Sequence, residues 1–264
     1  MLVCLQIPNN EDEWRNVADE FFHKWQFPRC VGSLDGKHVA IVAPANSGSL
    51  FYNYKHFFSV VLLALVDANY KFIFVDIGCY GRSADGGVFN NSTLSKALAN
   101  NSLNIPVPEA FAGVPNLPYV IVADDAFALK SYIVKPYAVR GLTEDQRIFN
   151  YRLSRARRVV ENAFGILGSR FRIFGKAIPL GPHKVQKVVM AACCLHNFLM
   201  RDNTSQTTYV ADLLDSSDNF QRTNKLSQQG GNRSTLSAHE TRDKFCKYFN
   251  SSVGAVSWQQ NICI

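Results

Sequence analysis

Tyr119 to Ala123 is a short, uninterrupted apolar run that ends on Asp124. A strand without polar alternation belongs in the centre of a sheet covered on both faces. A carboxylate at its end is costly unless it is paired or meets a cation. Two longer apolar runs, Phe58 to Leu65 and Tyr70 to Ile77, flank Asp67-Ala68-Asn69 and predict a β-hairpin. Val31 to Ala43 predicts a further strand with a Gly-rich interruption. Trp14, Val17, Ala18, Phe21, Phe22 and Trp25 recur at helical spacing and predict a helix over Glu11 to Trp25, stopped by Pro28. Helices are expected over Val88 to Asn100, Phe149 to Phe171, His183 to Met200 and Ala238 to Asn250, with loops at Gly78 to Gly87 and Asn101 to Pro118.

Hairpin strands, a helix, a strand ending in Asp, and then a helix carrying Glu161 is the element order of an α/β, RNase H-like fold. It has a mixed central sheet flanked by helices. The expected organisation is a helical lead-in over residues 1–29, the α/β domain over 30–200, a flexible linker over 201–237 and a helical tail over 238–264. The linker reading rests on the Ser, Thr, Asn, Gln and Asp richness of Asp202 to Ser237.

Charge is local. Between Arg147 and Lys176 eight basic residues face one acid, Glu161, a surplus equal to the whole chain's net +7. Such a surplus points to a polyanion. The longest apolar run, Phe57 to Val66, is too short to span a bilayer. Met1 to Asn10 lacks the basic start of a signal peptide. Seven scattered cysteines read as reduced thiols.

Asp35, Asp85, Asp124 and Glu161 come from separate predicted elements. Carboxylates gathered in this way can hold Mg²⁺ or Mn²⁺, which prefer oxygen donors. Two such ions can stabilise the attacking and leaving oxygens of a phosphodiester displacement. Each acid alone has a plainer reading as a cap or turn residue. Gathered without metal, some of them should be pushed up in pKa.

Six segments resemble the PIF/Harbinger-type transposases and their domesticated, Harbinger-derived and ALP1-like relatives, a DDE nuclease lineage. They are CVGSLDGKHVAI from Cys30, VDIGCYGRSADGGVFNNS from Val75, VIVADDAF from Val120, FNYRLSRARRVVENAFGILGSRFRIF from Phe149, AACCLHNFL from Ala191 and AHETRDKFCKYFNSSVGAVSWQ from Ala238. The resemblance implies an RNase H-like, Mg²⁺- or Mn²⁺-dependent DNA endonuclease of the nucleus. Its catalytic acids would be Asp35, Asp124 and Glu161, with Asp85 as a further metal ligand. It also implies DNA and a Myb/SANT-like DNA-binding protein as partners. Asp125 rivals Asp124: it leaves 35 residues before Glu161, a common DDE spacing. Alternation lets only one of the adjacent pair face the metals, and motif alignment favours Asp124. The chain departs from the family in Asp125-Ala126-Phe127, where a small residue, Gly and Tyr are usual. Only 34 residues precede Asp35, where the family usually has a helix-turn-helix-like region. A truncated gene product, a domesticated remnant or reliance on a partner would each account for that. The alternative function is a non-cleaving chromatin or protein-interaction module of the same fold.

Around the acids, Lys37 and His38 are candidate phosphate contacts, as are Arg155, Arg157 and Arg158 on the basic helix. Solvated Arg–Glu pairs are the plainer reading of that helix. Cys193-Cys194-Leu195-His196 reads as a packed helix rather than a zinc site, since adjacent helical cysteines diverge by about 100°.

Overall fold

Valine and leucine dominate Ser59–Val66 (β2), and all eight residues are buried. This strand forms the spine of a five-stranded mixed sheet in the computed structural model, which describes residues 5–201 and 234–259. The other strands are Cys30–Ala40 (β1), Phe72–Tyr80 (β3), Val120–Ala123 (β6) and Ile133–Val134 (β7), in the order β3-β2-β1-β6-β7. β1, β2 and β3 run antiparallel; β6 lies parallel to β1, and β7 parallel to β6. Glu109–Phe111 (β4) and Val114–Leu117 (β5) form a separate two-stranded ribbon inside the expected loop.

Helices cover both faces, as the unbroken apolarity of β2 and β6 requires. Val60, Leu62, Ala64 and Val66 pack with Glu144–Arg170 (α4), Pro182–Leu199 (α5) and the C-terminal helix Leu236–Phe249. Val61, Leu63 and Leu65 point the other way, toward Asp85–Asn91 (α2), Thr93–Ala99 (α3) and part of Glu11–Trp25 (α1). α1 ends where expected, with Gln26 in a left-handed cap. The single helix expected over Val88 to Asn100 is instead two. Ser92 is extended and its hydroxyl accepts from the Ser95 amide, so it starts a new helix.

α4 begins five residues before its expected start, because Thr143 and Gln146 form a capping box. Asp67 is the hairpin-turn residue: its Oδ1 accepts from the Asn69 and Lys71 amides. Asp76 lies on β3, at the sheet edge. His196 is buried; its Nε2 bonds the Tyr70 carbonyl at 2.8 Å and its ring lies 4.9 Å from Phe72. The expected linker lies almost wholly outside the described residues. The C-terminal helix sends Phe245, Tyr248 and Phe249 into the main core. Among the described residues no helix is long and apolar enough to cross a membrane.

Candidate metal centre

Parallel pairing of β1 with β6 sets Leu34 beside Ala123. The next residue on each strand is an acid, Asp35 and Asp124, so the register brings two carboxylates side by side. Alternation turns both toward α4. The neighbours on that face confirm it for β1: the Ser33 hydroxyl donates to the Arg157 carbonyl, and Lys37 Nζ lies 5.8 Å from the Phe164 ring centre.

Asp85 opens α2 on the opposite face of the sheet, yet its carboxylate reaches the same edge. Gly36 makes this possible: a Cβ there would stand 2.1 Å from Asp85 Oδ1. The approach of α2 is also close. A Cβ on Gly86 would meet the Ala126 carbonyl oxygen at 2.5 Å. Two missing side chains therefore let helix, strand and turn converge.

The electrostatics follow. Burial, and then the charges of Asp124 and Asp85, push Asp35 up to about 8; Arg157 and the Gly36 amide pull it back only in part. Gly36 N–H donates to Asp35 Oδ1 at 2.8 Å, and among the described residues no cation pairs with Asp35 within 4 Å. Asp85 rises to about 6, mainly through burial and then Asp124, opposed by Lys55. Asp124 Oδ1 is tied to the Ala126 amide at 2.9 Å. Asp125, by contrast, is exposed and paired with Lys135 at 3.0 Å, outside the cluster.

Glu161 is not gathered with the three aspartates. It lies on α4 one turn beyond Arg157, between the points where Ser33 and Lys37 touch the helix. Its side chain is 50% exposed and bonds Arg157 at 3.4 Å. Among the described residues no three His, Cys, Asp or Glu side chains stand close enough to hold one metal together. Carboxylate oxygens are nevertheless the donors a hard divalent cation prefers, and Arg157 only partly offsets the charges that Asp124 and Asp85 place on Asp35.

The basic residues separate. Arg158 is exposed on α4. Arg157 stands between Asp35 and Glu161. Arg155 stacks 4.1 Å from the Trp258 ring centre and donates to Gln26 Oε1. Arg152 is buried in the C-terminal contact. Lys37 is half-buried, and its pKa is lowered by burial and then by Lys55. His38 is a neutral imidazole at physiological pH, pushed down to about 4 by burial and then Lys55. Its Nδ1 bonds Ser59 Oγ at 2.9 Å.

Sequence reasoning did not single out Tyr54, Lys55, Gly36 or Gly86. Tyr54 is pushed upward in pKa by burial and then by Asp85, Asp35 and Asp124, and its ring lies 5.5 Å from that of His38 on the strand that carries Asp35. No local pattern marks it; only the fold brings the 51–58 loop to this edge.

The comparisons with known proteins give the family. The DDE superfamily endonuclease family matches residues 34–197, more than half of the chain, from the residue before Asp35 to past Glu161. "Protein ALP1-like" of Arabidopsis thaliana is 27% identical over 88% of this chain and 59% of its own length. The protein named "Putative nuclease HARBI1" is 26% identical in both Bos taurus and Homo sapiens, over 73% of this chain and 52% of each relative. The chain thus spans little more than half the length of these relatives. No solved structure matches it. With a family match that runs from Leu34 on β1 through β6 and α4, this chain belongs to the DDE superfamily endonucleases.

Proposed function

We propose that this chain is a nuclear, Mg²⁺- or Mn²⁺-dependent DNA endonuclease with an RNase H-like fold. The grouping of Asp35, Asp85 and Asp124 where β1 meets β6 and α2 carries the reading. Asp35, Asp85, Asp124 and Glu161 would hold the cations, two in number. When bound there, such ions supply activation of water and stabilisation of the leaving oxygen in phosphodiester hydrolysis. Asp35, pushed up to about 8 by burial and then by Asp124 and Asp85, would have to give up its proton to serve as a ligand. Arg157 donates to Glu161 at 3.4 Å and fixes its carboxylate on the face of α4. Arg158 offers a phosphate contact on the same helix. Since Arg152 and Arg155 are engaged by the C-terminal segment, sequence recognition is assigned to a separate Myb/SANT-like partner.

Nicking of supercoiled plasmid with Mn²⁺ tests this reading. Wild type should nick; Asp35→Ala, Asp124→Ala and Glu161→Ala should not. Activity that survives in all three variants would place the chemistry elsewhere. A second reading, a non-cleaving module of the same fold, is favoured by the outward, Arg157-paired position of Glu161. It predicts DNA binding with no nicking by wild type.

Gly36→Ala probes the gap through which Asp85 enters. The added methyl must displace the Asp85 carboxylate. Nicking should fall about 10- to 100-fold, as for other displacements of about 1 Å in reacting groups, while the melting temperature moves by only a few degrees. Unchanged nicking would show that Asp85 is dispensable.

A further inference from the structure

We propose that the loop from Asn53 to Phe57 is a DNA-positioning element, in which Tyr54 stacks on an unpaired base next to the scissile phosphate and Lys55 pairs with that strand's backbone. The proposal rests on the nuclease reading and extends it to the form of DNA engaged.

The loop is built to hold these two side chains outward. Asn53 is 2% exposed and acts as its hub. Its Oδ1 accepts from the Lys55 and Phe57 amides, at 2.9 and 3.3 Å, and its Nδ2 donates to Ser59 Oγ at 2.8 Å. The Asn53 amide donates to the Phe57 carbonyl, and its carbonyl accepts from the His56 amide. His56 adopts φ +65°, which reverses the chain. His38 braces the loop from the sheet, bonded to Ser59 and edge-on to Tyr54 at 5.5 Å.

On this frame Tyr54 remains 48% exposed, its ring 5.5 Å from that of His38, which lies three residues beyond Asp35 on β1. Lys55 is exposed, lies 5.5 Å from the Tyr54 ring centre, and has no ion-pair partner within 4 Å among the described residues. An aromatic face and an adjacent free ammonium are the two elements that hold single-stranded nucleic acid. A paired base has its faces covered by its neighbours, so the ring can stack only on an unpaired or frayed one. Lys55 also offsets the repulsion that three carboxylates impose on an approaching phosphate.

The test is fluorescence anisotropy with a labelled single strand of about 20 nucleotides and a blunt duplex of the same sequence, with Ca²⁺ replacing Mn²⁺ to suppress cleavage. Wild type should bind the single strand more tightly. Tyr54→Ala should weaken that binding about 5- to 100-fold and Tyr54→Phe by less than about two-fold, because stacking needs the ring and not the hydroxyl. Lys55→Ala should reduce the salt slope by about 0.7, and Lys55→Arg should restore it. Melting temperatures of the variants should match wild type, since both side chains are exposed. Wild-type binding that is unaffected in Tyr54→Ala and Lys55→Ala overturns the loop's role and leaves the nuclease reading standing. An equal loss in Tyr54→Phe and Tyr54→Ala overturns the stacking. Absence of DNA binding by wild type overturns the nuclease reading itself.

Discussion

Asp35→Asn is expected to raise the melting temperature of the metal-free protein at pH 8 by about 5–10 °C and to abolish Mn²⁺-supported nicking. The stability gain follows from linkage. Asp35 titrates near 3.8 when unfolded and is pushed up to about 8 in the fold, first by burial and then by Asp124 and Asp85. Its protonated form therefore stabilises the fold fully below about pH 4, and that contribution is lost as pH rises through 8. Asn mimics the protonated acid at every pH and can still accept the Gly36 amide. Variant and wild type should melt together near pH 4 and diverge steadily toward pH 8. The gap amounts to a few kcal/mol, and for a chain of this size each is worth roughly 2–4 °C. Mn²⁺ should stabilise wild type by mass action, and that gain should vanish in the variant. A melting difference that does not change with pH would mean that the Asp35 carboxyl is not held protonated by its surroundings.

Arg152→Ala should be the most damaging single change to stability, about 3–5 kcal/mol, with a fall in melting temperature of about 10 °C. Arg152 is 1% exposed. Its Nη1 donates to the Gly254 carbonyl at 3.1 Å and to Gln259 Oε1 at 3.0 Å, and its Nη2 to the Gln26 carbonyl. Its guanidinium lies 4.4 Å from the Phe249 ring centre and 5.6 Å from that of Trp258. Truncation leaves several buried acceptors unpaired and a cavity between α1, α4 and the C-terminal helix. Lys cannot restore the forked geometry, so Arg152→Lys should recover little. Loosening should begin at the C-terminal segment, read by early proteolysis after residue 249 and by solvent exposure of Trp258 fluorescence. A loss under about 2 °C would show that this segment does not depend on Arg152.

These two residues also mark how far residue patterns reach. Asp35 was recognisable because the segment around it, CVGSLDGKHVAI, resembles the family's first acid motif. Arg152 looked like one more member of a basic run, since composition does not distinguish an arginine facing solvent from one facing a partner a hundred residues away. The same limit applies to Arg155, expected on DNA and found against Trp258. It applies to Tyr54 and Lys55 as well, which carry no local pattern.

What the chain determines by itself is local: the hydrophobic periods of β2, β3, β6, α1 and α4, the turn at Asp67, and the acid that follows the apolar strand β6. Their cause lies within a few residues, in alternation, helical pitch and capping. The tertiary structure decided which side chains meet. The parallel register of β1 with β6 set Asp35 beside Asp124. The absent side chain of Gly36 admitted Asp85 from the other face. The segment that follows the C-terminal helix engaged two arginines, Arg152 through Gly254 and Arg155 through Trp258. Each of these depends on contacts between residues far apart in sequence, where packing and burial, rather than local propensity, choose the partner.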